Sequence, residues 1–333
     1  MSLPTASIVL PIRDERAWIV DAITSLADQD HQALEILAVD GGSTDGTLEL
    51  LAQMQGRHRS LRVLPNPRGT AAAALNVGLE AARGQVLVRA DAHAIYRPDY
   101  LRRSLEVLVE TGADDVGGPM VAVGTTRFGR AVARVTSSEI AMGTAAFHYL
   151  TSRAEVDTVY LGAYPIDVLR RLGGWDEHNL QWGAEDHELN MRLRAAGGRI
   201  VCDPTIGSFY FPRDDPRRLW RQYRNYGHGK VSTLRKHRAL PTLRPLAPAT
   251  LVAVLALSAL LAARRPSAAI VPLGWAAATL LLGRRLADRP GTDPARCALA
   301  LAICHVAYGV GFWEALGAAA SGRAPQIAPA SRR

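Results

Sequence analysis

Short apolar runs and helical patterns alternate along the first hundred residues. The apolar runs are four to six residues long and rich in branched aliphatic side chains, which predicts buried strands at 7–12, 35–40, 61–64 and 86–90. Ile19, Ile23 and Leu26 recur at helical spacing between the first two runs. A further apolar run at 116–121 predicts another strand. Strands that alternate with helices predict an α/β domain built on a mostly parallel sheet.

Acidic residues follow three of these predicted strands. Asp14 and Glu15 come after the first, Asp40 ends the second, and Asp91 follows the fourth. Ligands of parallel α/β sheets bind beyond the carboxyl ends of the strands, where these carboxylates would meet. One acid at a strand end is ordinary, but three in one unit predict a shared polar site. The chain has neither GxGxxG nor GxxxxGK[ST], which disfavours dinucleotide-binding folds and P-loop nucleoside triphosphatases.

The segment 173–200 begins with glycines and tryptophans and continues as an amphipathic pattern. Leu189 and Leu193 share a face, so a helix is predicted to begin near residue 185 and to end at a glycine pair. Acids in a first helical turn are stabilised by the helix dipole, so Glu185 and Asp186 can be capping charges alone. Alternatively, the preceding loop brings aromatic faces and backbone close to a sugar, and a carboxylate beside it serves as a general base.

The last third of the chain is far more apolar than the rest. Charge-free runs of eighteen residues occupy 246–263 and 266–283, and a third apolar run extends from 297 to 320 with only His305 and Glu314 interrupting it. An eighteen-residue helix reaches roughly 27 Å, close to the thickness of the hydrocarbon core of a bilayer. These runs predict about three transmembrane helices, and a buried helical bundle is the alternative.

Basic residues are concentrated just before the apolar runs. The formal net charge is +8, almost all of the positive charge is arginine, and residues 213–244 hold ten Lys or Arg and two acids. This balance indicates anionic partners such as phosphates and anionic lipid. No RNA- or DNA-binding motif is present, which disfavours nucleic acid. Arg235, Lys236 and Arg238 are expected to face lipid.

The cysteines and the N-terminal sequence disfavour further kinds of protein. The three cysteines form no CxxC pair, which disfavours a disulfide scaffold and a zinc site. The N-terminus has no basic region and too short an apolar run for a signal peptide, so the N-terminal domain is expected to stay in the cytoplasm. The predicted organisation is a catalytic domain over 1–212, a basic juxtamembrane segment over 213–245, transmembrane helices over 246–320 and a polar tail over 321–333.

Five stretches together resemble the inverting glycosyltransferases of family 2. They are PIRDE after the first strand, VDGGSTDGT after the second, PRGTAAAALNVGLEAARG in the next loop and helix, RADAH after the fourth strand, and GGWDE followed by GAEDHEL. RADAH with YRPDYL is similar to the subgroup of succinoglycan-type exopolysaccharide glucosyltransferases. The resemblance covers roughly residues 5–230, and its motifs are specific in combination. It implies a Rossmann-like GT-A fold followed by membrane helices.

The resemblance implies roles for individual residues. Asp186, the aspartate of the Glu-Asp pair, would be the catalytic base. Asp91 and His93 would hold a divalent ion, Mn²⁺ or Mg²⁺, which neutralises the leaving diphosphate. Trp182 and Glu185 would contact the acceptor. The residues that match the donor motifs of the family would bind the nucleotide sugar: Pro11, Arg13, Glu15, Asp40, Arg68, Gly69, Asp91 and Arg224.

The chain departs from the family pattern at three positions. Gly41 replaces the second acid after the second strand, and His93 replaces the second acid of the Asp-x-Asp motif. Asn225 stands where tryptophan follows a basic pair, which Arg221 and Arg224 match.

The resemblance implies a membrane-bound, inverting, metal-dependent hexosyltransferase. It would move a sugar from a nucleotide sugar, by resemblance a UDP-sugar, to a lipid-linked or glycan hydroxyl in exopolysaccharide or cell-envelope glycan biosynthesis. The catalytic domain would lie on the cytoplasmic face of the inner or plasma membrane, below a multi-pass tail. Two alternatives stay open: a polyprenyl-phosphate sugar synthase, whose acceptor is a phosphate, and a non-catalytic membrane scaffold with a degenerate sugar-nucleotide fold.

Overall fold

The computed structural model describes residues 2–143, 146–178, 184–238 and 246–321 of the 333-residue chain. Within these residues the strands form one large sheet and one small sheet. In chain order the strands are β1 Ala6–Ile12, β2 Glu35–Asp40, β3 Leu61–Pro65, β4 Val86–Arg89, β5 Ala94–Tyr96, β6 Asp115–Gly118, β7 Met120–Ala122, β8 Ala154–Glu155, β9 Tyr160–Pro165, β10 Ile200–Cys202 and β11 Ser208–Tyr210.

Helices cover both faces of the large sheet and make up the C-terminal third of the chain. In chain order they are α1 Ile19–Ala27, α2 Thr47–Gln55, α3 Ala71–Ala81, α4 Tyr100–Thr111, α5 Arg127–Thr136, α6 Glu139–Met142, α7 Ile166–Leu172, α8 Glu185–Ala195, α9 Pro216–His237, α10 Leu246–Ala262, α11 Ile270–Leu286 and α12 Pro294–Ala320, with 3₁₀ turns at Ala146–His148 and Pro266–Ala269.

The large sheet has the order β3-β2-β1-β4-β9-β6-β10-β8. β1 pairs in parallel with β2 and β4, β2 pairs in parallel with β3, and β9 runs antiparallel between β4 and β6. The predicted α/β class with a mostly parallel sheet is therefore confirmed. Because β1, β2 and β4 are neighbours that run in the same direction, the acids that follow them lie at one edge of the sheet.

Alternate side chains of the central strands face opposite helical layers. Ile8 and Leu10 of β1 pack with the layer formed by α1, α2 and α4, whereas Val9 packs with α3, α7 and α8. Both faces are buried, which explains why the strands read as continuous apolar runs in the sequence. Leu189 and Leu193 lie in the second layer and are almost fully buried, so the predicted amphipathic helix is confirmed as α8.

The predicted strand over 116–121 is divided in the structure. Its first half is β6 in the large sheet, and its second half is β7 in the small sheet, which has the order β5-β11-β7. Pro119 lies between the two halves. Proline has no N–H group for a ladder hydrogen bond, so it ends one pairing and allows the chain to enter the other sheet.

The last helix packs on α5 and α9. Leu219 of α9 and Val132 of α5 share a buried cluster with Leu301 and Cys304 of α12. Farther along, Val231 of α9 packs with the C-terminal half of α12. The loop between α11 and α12 is bound to α5, because Arg134 Nε donates to Asp288 Oδ1 at 2.6 Å and Arg130 Nε donates to the Gly291 carbonyl at 3.0 Å.

Two helical segments among the described residues are long and apolar enough to cross a membrane: Pro266–Leu286 and Pro294–Ala320. In the most apolar window of the first segment 11% of the residues are buried, against 56% in that of the second, because α12 packs on α9 and α5. The third predicted span, α10, has 17 residues and is shorter. The prediction of about three transmembrane helices stays a prediction.

Glycines allow α9 and α12 to approach closely. A Cβ atom at Gly311 would overlap the backbone oxygen of Arg224, and one at Gly227 would overlap the backbone oxygen of Tyr308. Gly317, one and a half turns farther along α12, has nothing within 4 Å of such an atom. The close packing at Gly311 therefore depends on the missing side chain rather than on helix preference.

We expect Gly311→Ala to lower the free energy of unfolding by about 1–3 kcal/mol, because the added methyl group forces the helices apart. Gly317→Ala is the matched control, and it should be neutral or stabilise the helix by up to about 1 kcal/mol. Thermal unfolding of the detergent-solubilised protein measures both variants. Equal melting temperatures for the two would contradict this account of the packing.

Candidate active site

The Glu185–Asp186 pair forms the first turn of α8. Ala184 precedes it with a left-handed backbone (φ 68°), so the chain turns sharply into the helix. Asp186 Oδ1 accepts a hydrogen bond from the Trp175 indole Nε1 at 3.0 Å, and Asp186 Oδ2 accepts one from Arg89 Nη1. Both oxygens of this carboxylate are therefore held by groups from other elements, which a helix-capping role alone does not require.

Arg89 joins the two acidic motifs. It ends β4, and its Nη1 lies 3.1 Å from Glu185 Oε1 while its Nη2 lies 3.4 Å from Asp91 Oδ1. Burial would lower the pKa of Arg89, but the charges of Asp186, Asp91 and Glu185 raise it well above its ordinary value. The guanidinium is thus a fixed positive charge among three carboxylates.

The pKa of Glu185 is raised from its ordinary value. Burial is the largest cause, and the neighbouring charge of Asp186 adds to it, while Arg89 opposes both. The two acids of the pair therefore differ in environment, with Asp186 bound by both Arg89 and Trp175.

His93 lies between Glu15 and the small sheet. His93 Nδ1 is 3.2 Å from Glu15 Oε1, and its ring meets the Tyr210 ring edge-on at a centroid distance of 5.6 Å. Burial lowers the pKa of His93, and the charge of Arg213 acts in the same direction. The charge and hydrogen bond of Glu15 and the charge of Asp91 outweigh them, so the pKa is raised. The structure thus brings the first, second and fourth motifs together, as their strand ends predict.

Asp91 and His93 offer few ligands for a metal ion. Across the described parts of the chain, no group of three or more His, Cys, Asp or Glu side chains is arranged to hold one. Glu15 engages His93 Nδ1, so the ring presents Nε2 to an ion only when it is neutral. Asp91 and His93 would supply at most two ligands to a divalent ion, and oxygens of a bound diphosphate and water would have to supply the others.

The turn after β2 is held by Asp40. Its Oδ2 accepts backbone hydrogen bonds from Gly42 at 2.9 Å and Ser43 at 3.1 Å, and its Oδ1 accepts from Ser43 Oγ at 2.5 Å. Asp40 is 6% exposed. In this structure the carboxylate shapes the loop, and its contact with a nucleotide base stays a prediction.

The glycine that departs from the family pattern has a packing reason. A Cβ atom at Gly41 would lie 3.2 Å from the Cα atom of Gly69, so the two loops approach closely here. Arg13 Nη1 donates to the Gly69 carbonyl at 3.3 Å across the same contact. Arg13, Gly69 and the end of β2 thus line one surface, while Pro11 lies within β1.

The loop before α8 is tied to α3 and to the loop that precedes α3. Arg68 forms an ion pair with Glu177, and Asn76 Nδ2 donates to Glu177 Oε1 at 2.6 Å. Asn76 also exchanges two hydrogen bonds with the backbone of Trp175, each 2.8 Å long. A cavity of about 500 Å³ opens beside this loop. Trp182, the other predicted acceptor contact, lies outside the described residues.

α9 binds both this loop and α8. Lys236 Nζ donates to Asp176 Oδ2 at 2.6 Å and lies 2.7 Å from Glu188 Oε1, and His237 Nε2 lies 2.9 Å from the same oxygen. Glu188 is fully buried and lies two residues after Asp186 on α8. The expectation that Lys236 faces lipid is therefore wrong, because the carboxylates of Asp176 and Glu188 hold its ammonium group.

Arg224 points away from the strand-end acids. Its Nε donates to Glu314 Oε2 of α12 at 2.6 Å, and His228 Nε2 lies 3.0 Å from the same carboxylate. On another face of α9, Gln222 Nε2 donates to the Tyr210 hydroxyl at 3.1 Å, beside His93. The role of Arg224 in nucleotide-sugar binding stays a prediction.

The contacts of Arg89 and Gln222 are features that the sequence alone does not single out, whereas Trp175 belongs to the loop that is expected to contact a ligand. A charged residue at the end of an otherwise apolar strand, VLVRAD, is the one available signal for Arg89. Its carboxylate partners on α8 follow almost a hundred residues later, so their contact requires the folded sheet.

Comparisons with known proteins agree with this geometry. A family model described as glycosyl transferase family 2 matches residues 7–171. The succinoglycan biosynthesis protein ExoA of Rhizobium meliloti (strain 1021) is 34% identical, over 93% of this chain and 94% of its own. The dolichyl N-acetyl-alpha-D-glucosaminyl phosphate 3-beta-D-2,3-diacetamido-2,3-dideoxy-beta-D-glucuronosyltransferase of Methanococcus voltae is 26% identical, over 69% of this chain and 74% of its own.

Solved structures show the same fold. The mannosyltransferase PcManGT from Pyrobaculum calidifontis, in complex with GDP-Man and Mn²⁺, aligns with a TM-score of 0.61 at 22% identity and covers 94% of this chain and 88% of its own. GalNAc-T7 with UDP, GalNAc and Mn²⁺ aligns with a TM-score of 0.52 at 16% identity, over 67% of this chain and 48% of its own. The predicted GT-A fold is confirmed. Since the Rhizobium relative is similar along nearly its whole length, this chain belongs to glycosyl transferase family 2.

Proposed function

We propose that the protein is a membrane-associated, inverting glycosyltransferase that uses Asp186 as its catalytic base. The observation that carries this proposal is the Asp186 carboxylate, which is oriented by Arg89 and Trp175 and faces the edge of the sheet where the donor motifs converge. The sugar moves from a nucleotide sugar, by resemblance a UDP-sugar, to a hydroxyl of a growing exopolysaccharide or cell-envelope glycan. The role of the Rhizobium relative in succinoglycan biosynthesis supports this product class.

The proposed reaction is a single displacement. Asp186 removes the proton of the acceptor hydroxyl while that oxygen forms a bond to the anomeric carbon. The bond between the anomeric carbon and the diphosphate oxygen breaks on the opposite face, so the configuration inverts. When bound, a divalent ion at Asp91 and His93 would neutralise the charge that develops on the leaving diphosphate. The Mn²⁺ in two related structures supports such an ion.

A lipid-linked acceptor accounts for the C-terminal helices. α10 and α11 expose large apolar side chains, among them Leu260 at 74% and Ile270 at 75%. A groove of about 400 Å³ between α10 and α12 is lined mainly by apolar side chains, together with Glu314. Exposed apolar surface of this extent indicates a membrane or lipid partner. The dolichyl-linked substrate in the name of the Methanococcus relative supports the same acceptor class.

Washed membranes that carry the protein provide the direct test. A panel of labelled nucleotide sugars is offered with Mn²⁺ or with EDTA, and label is followed into the lipid extract. We expect transfer from one donor in Mn²⁺ and loss of transfer in EDTA. No transfer from any donor, together with no binding of UDP to the purified protein, would favour the scaffold alternative.

A further inference from the structure

We propose that Arg89 is the positioning residue that holds the catalytic base in its working orientation. This inference rests on the proposed function, in which Asp186 removes a proton. The end of β4 presents the Arg89 guanidinium directly to the start of α8. Nη1 donates to Asp186 Oδ2 and lies 3.1 Å from Glu185 Oε1, and Nη2 lies 3.4 Å from Asp91 Oδ1.

The Arg89 guanidinium and its carboxylate partners are largely shielded from solvent. The Arg89 side chain is 11% exposed, and its three carboxylate partners are between 10% and 21% exposed. Ion pairs that are shielded from water interact far more strongly than surface pairs, and removing one partner leaves the others buried without compensation. Three carboxylates would repel one another here without the arginine. The positive charge of Arg89 therefore stabilises this group of carboxylates.

Asp186 needs this support because of where it lies on α8. The helix begins after a left-handed residue, Ala184, so Asp186 lies in its first turn and no helical turn precedes it. β4, by contrast, lies in the middle of the large sheet between β1 and β9. Arg89 thus links the Asp186 side chain, at the start of α8, to a strand in the middle of the large sheet.

Arginine fits this task because its nitrogens form a planar fork. One side of the fork binds the base and the other lies near Asp91, so a single group sets the separation between the base and the donor motif. Lysine at this position would keep the charge and lose the fork. The Asp91 contact is the longest of the three, which leaves that carboxylate available to a bound donor.

The test compares Arg89→Gln and Arg89→Lys in the full-length protein in washed membranes, with the donor that the unchanged protein accepts. We expect Arg89→Gln to lower kcat by about 100-fold, because small displacements of a reacting group cost about that much. The KM for the donor should change less than about 3-fold, because the contact of Arg89 with Asp91 is the longest of its three carboxylate contacts. Arg89→Lys should recover part of the lost kcat.

Arg62→Gln is the matched control. Arg62 also extends from a strand of the large sheet to a buried glutamate, Glu35, at the opposite end of the strands from the acids. It should leave kcat within about 2-fold of the unchanged protein. UDP binding in Mn²⁺ and thermal unfolding show whether each variant is folded.

Several outcomes would overturn the assignment of Arg89. A folded Arg89→Gln protein with kcat within about 3-fold of normal would do so, as would a change confined to the donor KM. If Arg89→Gln fails to fold, Arg89→Lys decides alone, and full activity in that variant counts against the fork. Absence of transfer by the unchanged protein with every donor would instead overturn the proposed function, and this inference with it.

Discussion

Asp186→Asn is expected to lower kcat for sugar transfer by about 10²- to 10⁴-fold, the range that a positioned general base contributes. Asparagine has nearly the same shape and can still accept the hydrogen bond from Trp175, so the fold should persist. It has no lone pair basic enough to take the hydroxyl proton. Single-turnover transfer into the lipid extract measures the rate, and titration with UDP in Mn²⁺ should show donor affinity within about 3-fold of normal.

Asp167→Asn is the matched control for this substitution. Asp167 lies on α7 in an exposed pair with Arg171, and its loss should leave transfer unchanged. Retained turnover in Asp186→Asn would contradict the assignment of Asp186 as the catalytic base. It would also favour the polyprenyl-phosphate synthase alternative, because a phosphate acceptor is already ionised and needs no strong base.

Asp91→Asn is expected to have the second-largest effect, a loss of at least about 100-fold in transfer together with the loss of metal-dependent nucleotide binding. The nearby carboxylates of Glu185 and Asp186 are paired with Arg89 and that of Glu15 with His93, so they are not expected to replace Asp91. A neutral amide binds divalent ions far less well than a carboxylate. Calorimetry of UDP binding with Mn²⁺ and with EDTA measures the metal-dependent part of the affinity.

Asp30→Asn serves as the control, since Asp30 forms an exposed pair with Arg102 far from the strand ends. UDP should bind Asp91→Asn with the same affinity in Mn²⁺ as in EDTA. It should bind Asp30→Asn and the unchanged protein more tightly in Mn²⁺ than in EDTA. If Mn²⁺ strengthens UDP binding to Asp91→Asn as much as to the unchanged protein, Asp91 is not the metal ligand.

Local patterns predict the central elements well because each is decided by neighbouring residues. Apolar runs identify β1 to β4, and the spacing of Leu189 and Leu193 identifies α8, since burial on one or both faces leaves a direct trace in the sequence. The acids at the strand ends predict one shared edge because parallel neighbours must end together. These inferences need no knowledge of distant contacts.

The remaining features depend on contacts between distant parts of the chain. The partners of Arg89 lie on another element, the close approach of Gly41 to Gly69 joins two loops, and Lys236 turns from the expected lipid face to Asp176 and Glu188. Composition likewise shows that residues 294–320 are apolar without showing that half of the helix is covered by protein. Side-chain direction and partner choice are set by tertiary packing, which no local pattern records.

The packing of α9 against α12 has a consequence for how the protein is assembled. Composition changes at residue 246, yet apolar contacts continue across that point, and one face of α9 is covered by α12. The opposite end of α9 holds Glu188 on the helix that carries the base. A chain that ended before the apolar helices would leave α9 uncovered on one side while it still had to support the reaction on the other. Removal of the apolar helices is therefore expected to loosen α8 as well, because α9 connects the two through its buried face and its last turn.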